Sequence, residues 1–109
     1  MGTMRLVVDA RGQAVPVEVS ADRLEELLAD RSNRLWLDLS DPDPEDVAVL
    51  RRAFGFHELA LEEVTRPHER PRCDVFGASC FIVVYAAERA GRHFVPRELN
   101  LFWGENFLV

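Results

Sequence analysis

Lysine is absent from the chain. All 13 basic residues are arginines, set against 19 aspartates and glutamates, for a formal net charge of -6. Scattered acids outnumber the arginines, so the electrostatic footprint that a phosphate backbone requires is lacking and nucleic acid is not an expected partner. An arginine-only basic set reads most simply as coding bias, although Arg also suits fixed ion pairs better than Lys. Long apolar runs are lacking too. The longest, Phe81 to Ala87 (FIVVYAA), stops far short of the roughly 20 residues a membrane helix needs. The N-terminus, MGTMRLVV, shows neither a long apolar core behind a basic segment nor a small-residue cleavage site, so it does not read as a signal peptide. The chain is therefore expected to be soluble as it stands.

Cysteine is scarce. Cys73 and Cys80 have no CxxC partner, and without an export signal they are expected to be reduced thiols packed in or near the core rather than a disulfide or a zinc set. There is no glycine-rich phosphate loop, and Ser79 and the cysteines fall in strand or turn segments without a placed base, so no nucleophilic triad can be assembled. No enzymatic activity is expected.

What is present is enough for one core. A chain of 109 residues that is 48% hydrophobic can bury a single compact interior and is too short for two ordinary domains, so residues 1–109 are expected to form one domain. Arg5–Asp9 and Ala14–Val19 read as strands flanking an Arg11-Gly12-Gln13 turn, with Pro16 placing the second at a sheet edge because it lacks an amide donor. Ser20 suits a helix cap ahead of the Leu24, Leu27 and Leu28 stripe. Leu35 to Leu39 alternates as a strand covered mainly on one side. In SDPDPEDVAVLRRAFG, Asp43 suits the N-cap, Pro44 the first turn, Val47, Leu50 and Phe54 the apolar stripe, and Gly55 the stop. His57 to Thr65 reads as a second short helix. Beyond Pro71 the pattern is β: Asp74–Phe76, the buried-looking run Cys80–Ala87, a turn at Ala90-Gly91, and a return over Phe94–Trp103. Phe107-Leu108-Val109 opens another strand, an ending that suggests a fragment cut from a longer protein.

The stretch FGFHELALEEVTRPHERPR carries the candidate chemistry. On a helical wheel Ala60, Leu61 and Val64 fall close to His57, which places that histidine at the head of the apolar stripe, capping or packing the helix start. Glu58 and Glu62 share a face and repel weakly. Glu63 points about 100° from Glu62. A hydrolytic metal centre built on His57, Glu58 and Glu62 is disfavoured, since a five-residue spacing throws His57 and Glu62 about 140° apart. Mg²⁺ is less demanding: it keeps most of its waters and is often held by one or two carboxylates. Two acids on an exposed helix could supply half of such a site, with another subunit supplying the rest.

Read in order, LWLDLSDPDPED (35–46), FGFHELALEEV (54–64), the HERPR loop (68–72), FGASCFIVVYAAE (76–88) and FVPRELNLFWGENFLV (94–109) resemble the cytoplasmic N-terminal domain of the CorA-type magnesium/cobalt transporters. The resemblance implies an α/β/α sandwich around a mixed central β-sheet with short helices, truncated before the family's stalk helix and membrane helices, which assemble as a homopentameric channel. It implies a sensing role, with Mg²⁺ or Co²⁺ as regulatory ion and no organic cofactor. The acids matching the family's intersubunit cation pair are Glu62 and Glu63, the second standing where aspartate is usual, and Glu58 stands where proline is common. The arginines of the HERPR loop are expected to pair with neighbouring acids. Neighbouring subunits would be met through the stalk and membrane helices, at the cytoplasmic face of the membrane. The competing expectation is a free-standing protein-interaction module whose acids are merely solvated.

Overall fold

The computed structural model describes residues 3–66 and 70–109. Pro67, His68 and Glu69, and with them the start of the HERPR loop, lie outside the described residues. The elements run β1 (Thr3–Ala10), β2 (Gln13–Val17), α1 (Ala21–Ala29), β3 (Arg34–Ser40), α2 (Pro44–Phe54), α3 (Glu58–Val64), β4 (Arg72–Phe76), β5 (Ser79–Ala90), β6 (His93–Trp103) and β7 (Phe107–Leu108). The strands form one sheet in the order β2-β1-β3-β7-β6-β5-β4. The β3–β7 pairing is parallel and the others are antiparallel, so the fold is α/β with a mixed central sheet and short helices.

Local chemistry sets the boundaries. Arg11 and Gly12 both adopt positive φ, 56° and 81°, the backbone of a two-residue hairpin whose twist matches its strands. β2, with Pro16, takes the sheet edge. Ser20 Oγ accepts the Arg23 amide at 3.1 Å and starts α1. Asp43 Oδ1 accepts the Asp46 amide at 2.9 Å while Asp46 Oδ2 accepts the Asp43 amide at 3.0 Å, a reciprocal cap that satisfies two amides the helix itself cannot. Gly55, left-handed at φ 65°, donates its N–H to the Arg51 carbonyl and closes α2.

Strand alternation selects one covered face. Leu6 and Val8 of β1, Leu35 and Leu37 of β3, Phe81 and Val83 of β5 and Phe102 of β6 are buried in a single cluster with Leu24 of α1, Val47 and Leu50 of α2, and Ala60 and Leu61 of α3. All three helices thus lie over the same face of the sheet. On the other face Trp36 and Trp103 are 60% and 61% exposed, and the register sets Leu108 beside both. Among the described residues the sandwich has one of its two helical layers, and no helix is long and apolar enough to cross a membrane.

The same parity corrects two expectations. The run Cys80–Ala87 is not buried throughout: Phe81 and Val83 are buried, Cys80, Ile82 and Val84 on the opposite face are only half-buried, and the strand emerges into solvent at Ala86 and Ala87. Cys73 and Cys80 are free thiols, but they project on the face away from the helices, because Cys80 pairs with Trp103 and Cys73 with Ile82. They are therefore outside the core.

The sheet consists of two antiparallel panels, β2-β1-β3 and β6-β5-β4, joined by β7. β7 touches β3 at Leu35 and Trp36 and β6 at Trp103, and Phe102 and Val109 exchange backbone hydrogen bonds of 2.8 and 2.9 Å. Beyond that seam β3 and β6 run on with no strand between them among the described residues. A cleft of about 310 Å³ opens there, walled by Leu37, Leu39, Asp41, Glu98, Asn100 and Leu101.

Candidate cation site on helix α3

Helix α3 is brought to the sheet by its apolar face and held at its start by two contacts. His57 is its N-cap, with Nδ1 accepting the Leu59 amide at 3.2 Å. The imidazole also stacks on Phe76 of β4, with ring centroids 4.8 Å apart. The wheel correctly associates His57 with the helix start, but the ring remains exposed and its packing partner comes from a distant strand. With Nδ1 used as a cap acceptor, that nitrogen serves the helix.

The acids of α3 have three different fates. Glu58 faces Arg51 across the α2–α3 corner, with Arg51 Nε to Glu58 Oε1 at 2.6 Å and a second contact to Oε2 at 3.3 Å. This two-pronged pairing holds the Glu58 carboxyl below its ordinary range, chiefly through the hydrogen bond from Arg51, and raises the Arg51 guanidinium in turn. The extra charge that Glu58 brings to the helix is thereby neutralised by a neighbour.

Glu63, half-buried, turns toward the sheet edge and pairs with the Arg72 guanidinium at the start of β4. Arg72 Nε also lies 3.1 Å from Asp74 Oδ2, so one guanidinium sits between two carboxylates. The expectation that the HERPR arginines pair with neighbouring acids is met at Arg72. Glu62 is exposed and has no ion pair among the described residues. The divergence of Glu62 and Glu63 follows from adjacency on a helix, which sends successive side chains about 100° apart.

No group of three or more metal-ligating side chains converges among the described residues. His57 and Glu58 are committed to the helix cap and to Arg51, and Glu62 stands apart from both, which leaves no basis for the hydrolytic centre. What α3 does offer is one free hard oxygen donor, Glu62, and a second, Glu63, covered by an arginine.

Sequence reasoning missed the polar wall of the cleft between β3 and β6. Tyr85 Oη donates to Glu98 Oε1 at 3.2 Å, and Asn100 Nδ2 lies 3.5 Å from Glu98 Oε2. The available signal was parity: Glu98 and Asn100 alternate in step with Phe102, which is buried, so they had to face the helix side.

Comparison with known proteins adds to this geometry. A family model described as "CorA-like Mg2+ transporter protein" matches residues 32–109. A Bacillus subtilis protein named as a metal ion transporter, YfjQ, is 32% identical over 74 residues, which is 68% of this chain and 23% of that protein. A Schizosaccharomyces pombe protein also named as a metal ion transporter is 38% identical over 47 residues, 43% of this chain and 8% of its own length. The manganese resistance protein MNR2 of Saccharomyces cerevisiae is 37% identical over 41 residues, 38% of this chain and 4% of that protein. The chain spans less than a quarter of the length of each of these relatives.

Proposed function

The chain belongs to the CorA-like Mg²⁺ transporter family, and from that premise we propose that it is the cytoplasmic regulatory domain of a metal ion transporter, with Glu62 and Glu63 contributing to divalent-cation sites between subunits of a homopentamer. The observation that carries this reading is the state of Glu62: an exposed carboxylate on a short helix, free of any ion pair among the described residues, within the segment matched by the family model.

The donor chemistry fits a hard cation, because carboxylate oxygens are what Mg²⁺ accepts and few are needed when water completes the shell. A bound Mg²⁺ or Co²⁺ would supply positive charge between facing acidic surfaces. The residues of the chain do the rest. Glu62 presents its charge outward, where a neighbouring subunit's acid would repel it, and that repulsion is one arm of a two-state balance between closed and open assemblies. The Arg51–Glu58 pair keeps α3 fixed against α2, so the charge is displayed from a rigid element.

The test is limited proteolysis of the intact protein with and without Mg²⁺, comparing wild type with Glu62→Ala and Glu63→Ala. Loss of Mg²⁺-dependent protection in the variants is expected. Protection that persists unchanged in both would overturn the sensing role of these residues.

A further inference from the structure

Resting on that reading of α3, we propose that Arg72 is a tethered competitor of the divalent cation, which occupies Glu63 while the ion is absent and sets the concentration at which the ion can take its place. Arg72 opens β4, the edge strand, and its register partner on β5 is the core residue Val83. Arg72 therefore projects on the helix side of the sheet. Asp74, two positions along and opposite the core residue Phe81, projects on the same side. Glu63 comes down to this edge from α3, and the guanidinium fork engages both acids, Glu63 through one terminal nitrogen and Asp74 through Nε.

A planar guanidinium can satisfy two carboxylates at once, which a lysine ammonium does less well. The group is also partly shielded: the Glu63 and Arg72 side chains are 24% and 38% exposed, so salt screens this pair less than a fully exposed one. A divalent ion approaching Glu63 meets a fixed positive charge on the same carboxylate, and the two cations repel. Because Arg72 is covalently held beside Glu63, its effective concentration there does not change with the medium. Asp74 gives the displaced guanidinium somewhere to remain paired, so both arrangements leave Arg72 neutralised. Glu62, about 100° round the helix from Glu63, remains outside this competition.

The alternative role for the contact is purely structural, a pin between α3 and β4. The two differ in what substitution does to the cation response. In the intact protein, the Mg²⁺ midpoint for protection from proteolysis should fall by roughly two- to fivefold in Arg72→Gln, the size expected for removal of a partly exposed ion-pair competitor. It should rise in Asp74→Asn, where Arg72 has only Glu63 to pair with, and Arg72→Lys should lie between wild type and Arg72→Gln. If Arg72→Gln does not fold, Asp74→Asn decides alone. A protected wild type whose midpoint is unmoved in the folded variants overturns the competition and leaves the sensing reading standing. A wild type without any Mg²⁺-dependent protection overturns both.

Discussion

Phe56 lies flat against Phe102, with ring centroids 3.9 Å apart and planes 11° from parallel. This contact fixes the α2–α3 corner, and with it the whole acidic helix, to the C-terminal end of β6. Phe54 stacks on Phe56 from the other side at 4.9 Å, and Phe107 meets both rings. Phe56 is buried, and truncation would leave a cavity in an aromatic cluster. Phe56→Ala is expected to cost about 3–5 kcal/mol of stability, measurable by urea denaturation. A loss below about 1 kcal/mol would show that the corner repacks around the gap.

Gly104 occupies the tight return from β6 to β7, where a Cβ would run into the ring of Phe107. The glycine is needed here for space. Gly104→Ala should therefore destabilise by about 1–3 kcal/mol, as overpacking does. Pairing it with Phe107→Leu should recover part of that loss in a double-mutant comparison, and strictly additive losses would refute the steric explanation.

The reciprocal cap of α2 depends on the Asp43 carboxylate. Asp43→Ala removes the acceptor for the Asp46 amide and should cost about 1 kcal/mol, while Asp43→Ser should retain most of the stability because its hydroxyl can accept the same bond. Thermal unfolding of the two variants side by side checks the ordering.

Glu58 links stability to acid. Its folded carboxyl titrates below its unfolded counterpart because of Arg51, so the pair contributes above the ordinary carboxylate range and loses its contribution as the pH falls through the lowered folded value. Wild type and Glu58→Gln should therefore differ most near neutrality and converge in strong acid, as read by denaturation midpoints across a pH series. A gap that widens on acidification would reverse the assigned sign.

The parts of this fold that were legible in the sequence are those in which cause and effect lie within a few residues. Ser20 and Asp43 cap the amides three positions on, Gly55 adopts the left-handed turn that its neighbours require, and Arg11-Gly12 makes its own hairpin. The short helix and its outward acid, Glu62, were legible for the same reason, since a wheel needs only the helix itself. The covering of Glu63 was not, because Arg72 reaches it only after the chain has left α3 and entered the sheet edge. Nor was the stacking of His57 on Phe76, because that ring belongs to β4. The cysteines were misplaced by treating Cys80–Ala87 as one buried run, when strand parity gives its alternate residues to opposite faces.

The two-panel sheet also constrains the order in which the molecule can be made. Leu35 emerges during synthesis long before Phe107, its parallel partner across the seam. The first panel can complete its own hairpin ladder early, yet the central join waits for Phe107–Val109, and such long-range closure is slow in sheet formation. Until then the Leu35 and Leu37 side of β3 and the Phe102 side of β6 are separate sticky surfaces. Substitutions within Phe107–Val109 would accordingly act on the assembly of the whole sheet, at the moment when a nascent chain is most exposed to aggregation.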